Sequence, residues 1–201
     1  MALVDANYKF TIIDVGGYGK SSDGGLFTSS ILGKSLEAST LNIPNSKPPH
    51  NIEEPLAFVI VGDEAFPLKK YLIRPCPRVS ARNDESKQIY NYRLTRARRV
   101  VENAFGTLTQ KFRLFYGRIQ LSPENAYKVF LAACVLHSYL RNDVNVEDRV
   151  IENTDALSQF SYVTTFRRSG GNASEEAMRA RETYRHCIEN VGSVGAEPCP
   201  R

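Results

Sequence analysis

The sequence has no long apolar run, no closely paired cysteines and no nucleotide-binding glycine motif. Its longest apolar stretches, 56–61 and 129–136, are far too short to cross a bilayer, and the opening residues MALVDANYKF do not form a secretory signal. The four cysteines include no C-x-x-C pair, so we expect no zinc site and a reducing compartment. The glycine-rich segment 16–25 contains neither G-x-x-x-x-G-K-S/T nor G-x-G-x-x-G. These absences argue against a membrane protein, a zinc domain and the common phosphate-binding loops.

What the sequence does have is one long amphipathic segment, 92–118, around which the rest is organised. Its apolar residues recur every three or four positions, the period of a helix with one buried face; they are Leu94, Ala97, Val101, Ala104, Phe105, Leu108, Phe112 and Phe115. Glu102 falls on the rim of that face, one turn after Arg98. Two interpretations of Glu102 stay open: a carboxylate directed towards a cleft, or a surface residue paired with Arg98.

A second carboxylate follows the apolar run LAFVIV at 56–61. A continuous β-branched and aromatic run bounded by proline and glycine predicts a strand buried on both faces. Asp63 follows it after Gly62, just past the end of the predicted strand, where α/β sheets place reactive groups. The alternative role for Asp63 is to cap a helix over 65–72, and the two roles are compatible.

The segments before and between these elements are predicted to form two strands, a short helix and a linker. Residues 1–16 predict two strands joined by a tight turn at 5–7, and Asp23 is placed to cap a short helix over 24–36. Residues 79–90 are polar and predict an exposed linker.

Two further helices are predicted towards the C-terminus. Ser122 as cap and Pro123 at the first helical position open a helix to about residue 141, with His137 on its buried side as a core histidine. The buried side also includes Leu136 and Leu140. A charged, loosely docked helix is expected near 175–190.

Basic residues concentrate on the organising segment, which holds seven of the 26 lysines and arginines. Clustered positive charge favours a polyanionic partner, although a solvated helix face explains it nearly as well. The candidate nucleic-acid-binding residues are Arg93, Arg96, Arg98, Arg99, Lys111 and Arg113.

Five segments, in this order, together resemble the Harbinger/PIF-type transposase domain, a DDE-superfamily endonuclease, and proteins domesticated from it. They are VDANYKFTIIDVGGYGKSSDGGLF (4–27), FVIVGDEAFPLKKYLIRPCP (58–77), NYRLTRARRVVENAFGTLTQKFRLF (91–115), SPENAYKVFLAACVLHSYLRN (122–142) and a tail around 174–192. The resemblance implies an α/β, RNase H-like mixed sheet flanked by helices. It also implies a DNA substrate and three carboxylates that bind Mg²⁺ or Mn²⁺. Asp63 matches the second carboxylate and Glu102 the third, so both are expected to be catalytic and metal-binding.

The first carboxylate of the family pattern, in a D-G-T-H-like motif, does not occur in this sequence. Asp5, Asp14 and Asp23 match other positions of the pattern and are not assigned to it. We therefore expect an N-terminally truncated endonuclease domain over 1–142, missing its first strand or strands and inactive by itself, and a C-terminal extension over 143–201. The alternative is a domesticated, non-catalytic protein that binds DNA or a protein.

The resemblance also implies where the protein acts and with what. The expected partners are DNA and a protein that supplies further DNA binding, and the expected location is nuclear, with the cytoplasm as an alternative. The oligomeric state is left open.

Overall fold

The computed structural model describes residues 1–17, 22–48, 55–141 and 173–192. The described elements are strands β1 (Ala2–Val4), β2 (Phe10–Ile13), β3 (Ile60–Val61) and β4 (Leu72–Ile73), and helices α1 (Asp23–Ser29), α2 (Ile31–Glu37), α3 (Arg78–Ala81), α4 (Glu85–Lys111), α5 (Pro123–Leu140) and α6 (Glu175–Gly192), with a 3-10 turn at Arg113–Tyr116. Within these ranges the fold is mixed α/β and mostly helical, with two small two-stranded sheets. No helix in these ranges is long and apolar enough to span a membrane.

Backbone contacts divide the described residues into two compact units. The first contains 1–17 and 99–141, and the second contains 22–48, 55–98 and 173–192. Helix α4 contributes residues to both. The division of the chain at 142/143 stays a prediction.

The first unit begins with a β-hairpin, as the sequence predicts. Strands β1 and β2 pair antiparallel, with Ala2 opposite Ile13. In the turn, Oδ1 of Asp5 accepts hydrogen bonds from the backbone N–H groups of Asn7 (2.8 Å) and Lys9 (2.9 Å). An aspartate side chain that bonds the backbone two residues on is a typical turn-former.

The core of the first unit joins the hairpin to the second half of α4 and to α5. Its buried residues are Phe10, Ala104, Leu108, Ala133 and Cys134, and aromatic side chains pack around them, including Phe105, Phe112, Phe115 and Phe130. The apolar face predicted for the organising helix is therefore confirmed in this half.

Helix α5 begins where the sequence predicts. Ser122 occupies the cap position and its carbonyl accepts the N–H of Ala126 at 2.9 Å, although its side chain makes no capping bond. The buried face of α5 contains fewer residues than the sequence predicts. His137 is buried, whereas Leu136 and Leu140 are 49% and 40% exposed.

The second unit has a separate core of Ile73, Cys76, Tyr90 and Leu94. The helix predicted near 175–190 is present as α6. Its Tyr184 and Ile188 pack against this core, which fixes one face of the helix to the unit. All four core residues come from β4, the segment after it and the first half of α4.

The buried strand predicted over 56–61 is wrong for most of its length. Only Ile60–Val61 forms a strand, parallel to β4, and Phe58 is 48% exposed. Within the described ranges β3 has a strand partner on one side only, so this run is not enclosed by a sheet. An RNase H-like sheet with missing strands stays a prediction.

Two further predictions for this part of the second unit are wrong. The helix expected over 65–72 is replaced by a turn in which Lys69 and Leu72 exchange backbone hydrogen bonds of 2.9 and 3.1 Å. That turn brings β4 alongside β3, so a contact distant in sequence overrides local helix propensity. The expected linker at 79–90 is largely helical, because α4 begins at Glu85.

The single helix expected over 24–36 is two helices that meet at Ser30. The Ser30 hydroxyl donates to the carbonyl of Phe27 (2.6 Å) and accepts the N–H of Gly33 (3.0 Å), so it ends α1 and caps α2. Ser22, rather than Asp23, caps α1, by accepting the N–H of Gly25.

Candidate metal and nucleic-acid site

Asp63 lies two residues beyond β3, in the turn that leads back to β4. Its Oδ1 accepts the backbone N–H of Ala65 at 2.8 Å, and its carbonyl accepts the N–H of Phe66 at 3.2 Å. The side chain therefore shapes the turn, much as a capping residue would, although no helix follows. The backbone thus holds one carboxylate oxygen of Asp63, Oδ1.

The other oxygen already has a partner. Nη2 of Arg98 lies 3.6 Å from Oδ2 of Asp63, and the two side chains are 30% and 35% exposed. Arg98 therefore pairs with Asp63 instead of with Glu102, the i,i+4 neighbour considered from the sequence. No periodicity signal predicts this pair, because its members are 35 positions apart in the sequence.

Asp23 approaches the same turn from α1. A methyl group added at Gly24 would lie 3.0 Å from the carbonyl oxygen of Ala65, so the start of α1 packs closely on the turn that follows Asp63. Burial raises the pKa of Asp23, and the negative charge of Asp63 raises it further. The two carboxylates thus share a region of negative potential, which the sequence alone did not reveal.

Glu102 is half-buried on α4 and belongs to the first unit, whereas Asp63 belongs to the second. The carboxylate of Glu102 has no ion pair within the described ranges. Convergence of Asp63 and Glu102 on one metal site stays a prediction.

The basic candidates fall into two groups. Arg98 is engaged with Asp63, while Arg93, Arg96, Arg99, Lys111 and Arg113 form no ion pair with any residue that the structure describes. Arg96 and Arg98 are about 200° apart around the helix, so they lie on nearly opposite sides of α4. Arg96, Arg99, Lys111 and Arg113 are exposed, and no acidic residue occurs in the sequence between Glu102 and Glu124.

His137, predicted from the sequence to be a core histidine, is fully buried and contacts the turn of the hairpin. Its Nε2 bonds the carbonyl oxygen of Tyr8 at 2.9 Å. Among described residues, no group of three histidine, cysteine, aspartate or glutamate side chains is arranged to hold a metal.

The model of the DDE superfamily endonuclease family matches residues 1–138. The chain belongs to this family, whose members generally use divalent metal ions and act on phosphodiester bonds. The chain is also similar to the proteins named "Putative nuclease HARBI1" of Bos taurus and Homo sapiens, each 32% identical over 82 residues. That alignment covers 39% of this chain and 23% of each relative, so the chain spans less than a quarter of their length. No solved structure gives a significant match.

Proposed function

We propose that this chain is a transposase-derived, divalent-metal-dependent DNA endonuclease domain of the Harbinger type, acting in the nucleus. Asp63 and Glu102 are its metal-binding carboxylates. The observation that carries the proposal is the state of Asp63: one oxygen is fixed by the Ala65 N–H and the other faces a cation. The family match over residues 1–138 supports the same assignment.

Asp63 and Glu102 suit a hard divalent cation by donor type, but the part of the chain that the structure describes gathers no three acidic, histidine or cysteine side chains to hold one. Carboxylate oxygens are the ligands that Mg²⁺ and Mn²⁺ prefer. Asp63 would hold such an ion together with water, and Glu102 is the other metal-binding carboxylate that the family resemblance implies. When bound, such ions activate the attacking oxygen and stabilise the leaving oxygen of a phosphodiester.

The chain's own residues have separate roles in this proposal. The turn of Asp63 holds a rigid ligand, because its Oδ1 is tied to the backbone. Exposed Arg96, Arg99, Lys111 and Arg113 bind phosphates without reading sequence. The sequence holds no D-G-T-H motif, so we expect no measurable cleavage by this 201-residue chain alone.

Metal binding to the purified chain tests the proposal. In a Mn²⁺ titration followed by electron paramagnetic resonance, Asp63→Asn should abolish binding and Glu102→Gln should weaken it. Glu64→Gln is the matched control, because it removes the same charge from the next residue, an exposed one, and should change affinity by less than about twofold. Equal Mn²⁺ affinity in the wild type and Asp63→Asn would falsify the proposed site.

A second candidate function is non-catalytic binding of DNA, with a protein partner that supplies further DNA contacts. The observation in its favour is the set of exposed, unpaired cations on and after α4 within the described ranges. The Mn²⁺ titration distinguishes the two functions, since a protein that only binds DNA needs no Mn²⁺ site at Asp63.

A further inference from the structure

The 3-10 turn that follows α4 presents an aromatic ring beside a positive charge. Residues three apart in a 3-10 helix project from the same side, because this helix has three residues per turn. The N–H of Phe115 donates to the carbonyl of Phe112 at 3.1 Å, and both rings pack against the core of the first unit. Arg113 and Tyr116 therefore share a different side of the turn. That side is exposed to solvent, and Tyr116 is 63% exposed.

The ring of Tyr116 is held by its neighbour and has no stacking partner of its own. Phe115 meets the ring of Phe130 edge-on, with centroids 5.8 Å apart, which anchors the backbone of the turn to α5. Within the described ranges no other aromatic ring and no cation stacks on Tyr116. An exposed aromatic face on an anchored backbone is the kind of surface on which a nucleic-acid base stacks.

The chain on both sides of Tyr116 carries positive charge only. No acidic residue occurs in the sequence between Glu102 and Glu124, and the three basic residues of this stretch are exposed; they are Lys111, Arg113 and Arg118. A ligand that suits this surface needs negative charge and flat apolar faces together. Duplex DNA offers phosphates but keeps its bases stacked on one another, whereas a single strand offers both phosphates and free base faces.

We propose that Tyr116 is a stacking platform for a base of single-stranded DNA, with the neighbouring phosphates bound by Lys111, Arg113 and Arg118. The proposal deepens the proposed function, because it rests on the phosphate contacts assigned there to Lys111 and Arg113. The cations attract any DNA, whereas the ring adds affinity only for a strand with unpaired bases. The ring does not read sequence, since every base has a π face.

Fluorescence anisotropy with the full chain tests the proposal. The probes are a labelled thymidine single strand of about 12 nucleotides and the duplex that it forms with its complement. Tyr116→Ala should weaken binding to the single strand roughly five- to twentyfold and leave duplex affinity within about twofold, because only the stacking contact is lost. Tyr116→Phe keeps the ring and should stay within about twofold of wild type on both probes.

Tyr139 is the matched control. It lies on α5 in the same unit, and its exposed fraction, 63%, equals that of Tyr116. It is roughly 13 Å along the helix from Phe130, the residue that Phe115 contacts. Tyr139→Ala should therefore leave both affinities within about twofold of wild type. Circular dichroism of each variant checks that the helices are retained, as expected when an exposed side chain is replaced.

Two further measurements separate stacking from a structural role of the ring. Stacking releases no counterions, so Tyr116→Ala should lower single-strand affinity without changing its salt dependence, whereas Lys111→Gln/Arg113→Gln should reduce that dependence. The sequence contains no tryptophan, so tyrosine emission can be followed directly. The single strand should quench this emission in wild type and quench it less in Tyr116→Phe, although that variant binds as tightly.

The outcomes separate the inference from the function on which it rests. The titrations contain no divalent metal, so they do not depend on the site proposed at Asp63. Single-strand binding that weakens in Tyr116→Ala and is retained in Tyr116→Phe supports the inference. Salt-dependent binding that Tyr116→Ala leaves unchanged, or that Tyr139→Ala weakens equally, overturns the role of Tyr116 and leaves the phosphate contacts standing. No binding of either probe at low salt overturns both.

Discussion

Nε2 of His137, near the end of α5, donates a hydrogen bond of 2.9 Å to the carbonyl oxygen of Tyr8 in the turn of the hairpin. A carbonyl oxygen can only accept, so the proton of the neutral ring lies on Nε2. Neighbouring residues add to this junction: Ser138 Oγ accepts the N–H of Phe10 (3.0 Å), and Nε of Arg141 donates to the carbonyl of Asn7 (3.0 Å). The last turn of α5 thus holds the hairpin in the first unit.

This junction predicts acid sensitivity of the first unit. Burial lowers the pKa of His137 below its ordinary value of 6.5; its bond to Tyr8 opposes that shift, and the positive charges of Arg141 and Lys111 add to it. The unfolded chain therefore takes up a proton at a pH where the folded chain does not, so stability is lost as the pH falls below about 6.5. Urea unfolding at pH 7.5 and 5.5 should show a lower midpoint at pH 5.5.

Replacement of the histidine isolates its contribution. His137→Gln keeps an N–H donor for the Tyr8 carbonyl but cannot take up a proton in this range. Its urea midpoint should change less between pH 7.5 and 5.5 than that of the wild type. An equal pH dependence in both proteins would assign the effect to other groups.

Gly33 is required by the close approach of α1 and α2. A methyl group at Gly33 would lie 2.0 Å from the carbonyl oxygen of Phe27, inside any possible contact distance. Gly33→Ala should lower the free energy of unfolding by about 1–3 kcal/mol, as overpacking does. Gly106→Ala is the contrasting variant, since nothing lies within 4 Å of the added methyl, and it should raise stability by about 0.5–1 kcal/mol. Urea unfolding measures both, and a neutral Gly33→Ala would contradict this close packing.

Asn91 holds the chain after β4 against α4 with two hydrogen bonds to one residue. Its Oδ1 accepts the N–H of Cys76 at 2.7 Å, and its Nδ2 donates to the carbonyl of Cys76 at 3.0 Å. Asn91→Ala leaves both backbone groups without these partners and should cost about 1–3 kcal/mol in the free energy of unfolding. Asn91→Asp keeps the acceptor and loses the donor, so it reports on the Cys76 carbonyl separately. A cost below about 0.5 kcal/mol for Asn91→Ala would mean that water replaces the side chain.

DNA binding should be weak, independent of sequence and sensitive to salt. Each phosphate neutralised releases counterions, so the logarithm of the affinity falls linearly with the logarithm of the salt concentration. Lys111→Gln/Arg113→Gln should reduce that slope by about 0.9 for each phosphate that is no longer neutralised, in a fluorescence anisotropy titration with duplex DNA. The control Lys34→Gln/Lys70→Gln removes two exposed charges elsewhere and should leave the slope unchanged. A slope near zero in the wild type would identify the cations as a solvated helix face.

The sequence by itself determined the elements whose signals are local, and the family. The hairpin follows from alternation and the turn chemistry of Asp5, and the second half of α4 follows from a helical period that places Ala104 and Leu108 in one core. The sequence also identified Asp63 and Glu102 as the candidate carboxylates.

Only the tertiary structure showed which distant strands and side chains contact one another. It reduced the strand expected over 56–61 to Ile60–Val61, because β4 pairs along two residues only, and it replaced a predicted helix with the turn that makes this pairing possible. It showed that Arg98 forms an ion pair with Asp63 rather than with Glu102, and that α1 packs close to the turn that follows Asp63. Helix and turn rules act over a few residues, whereas an ion pair across 35 positions depends on how the intervening chain folds back, which no local pattern encodes.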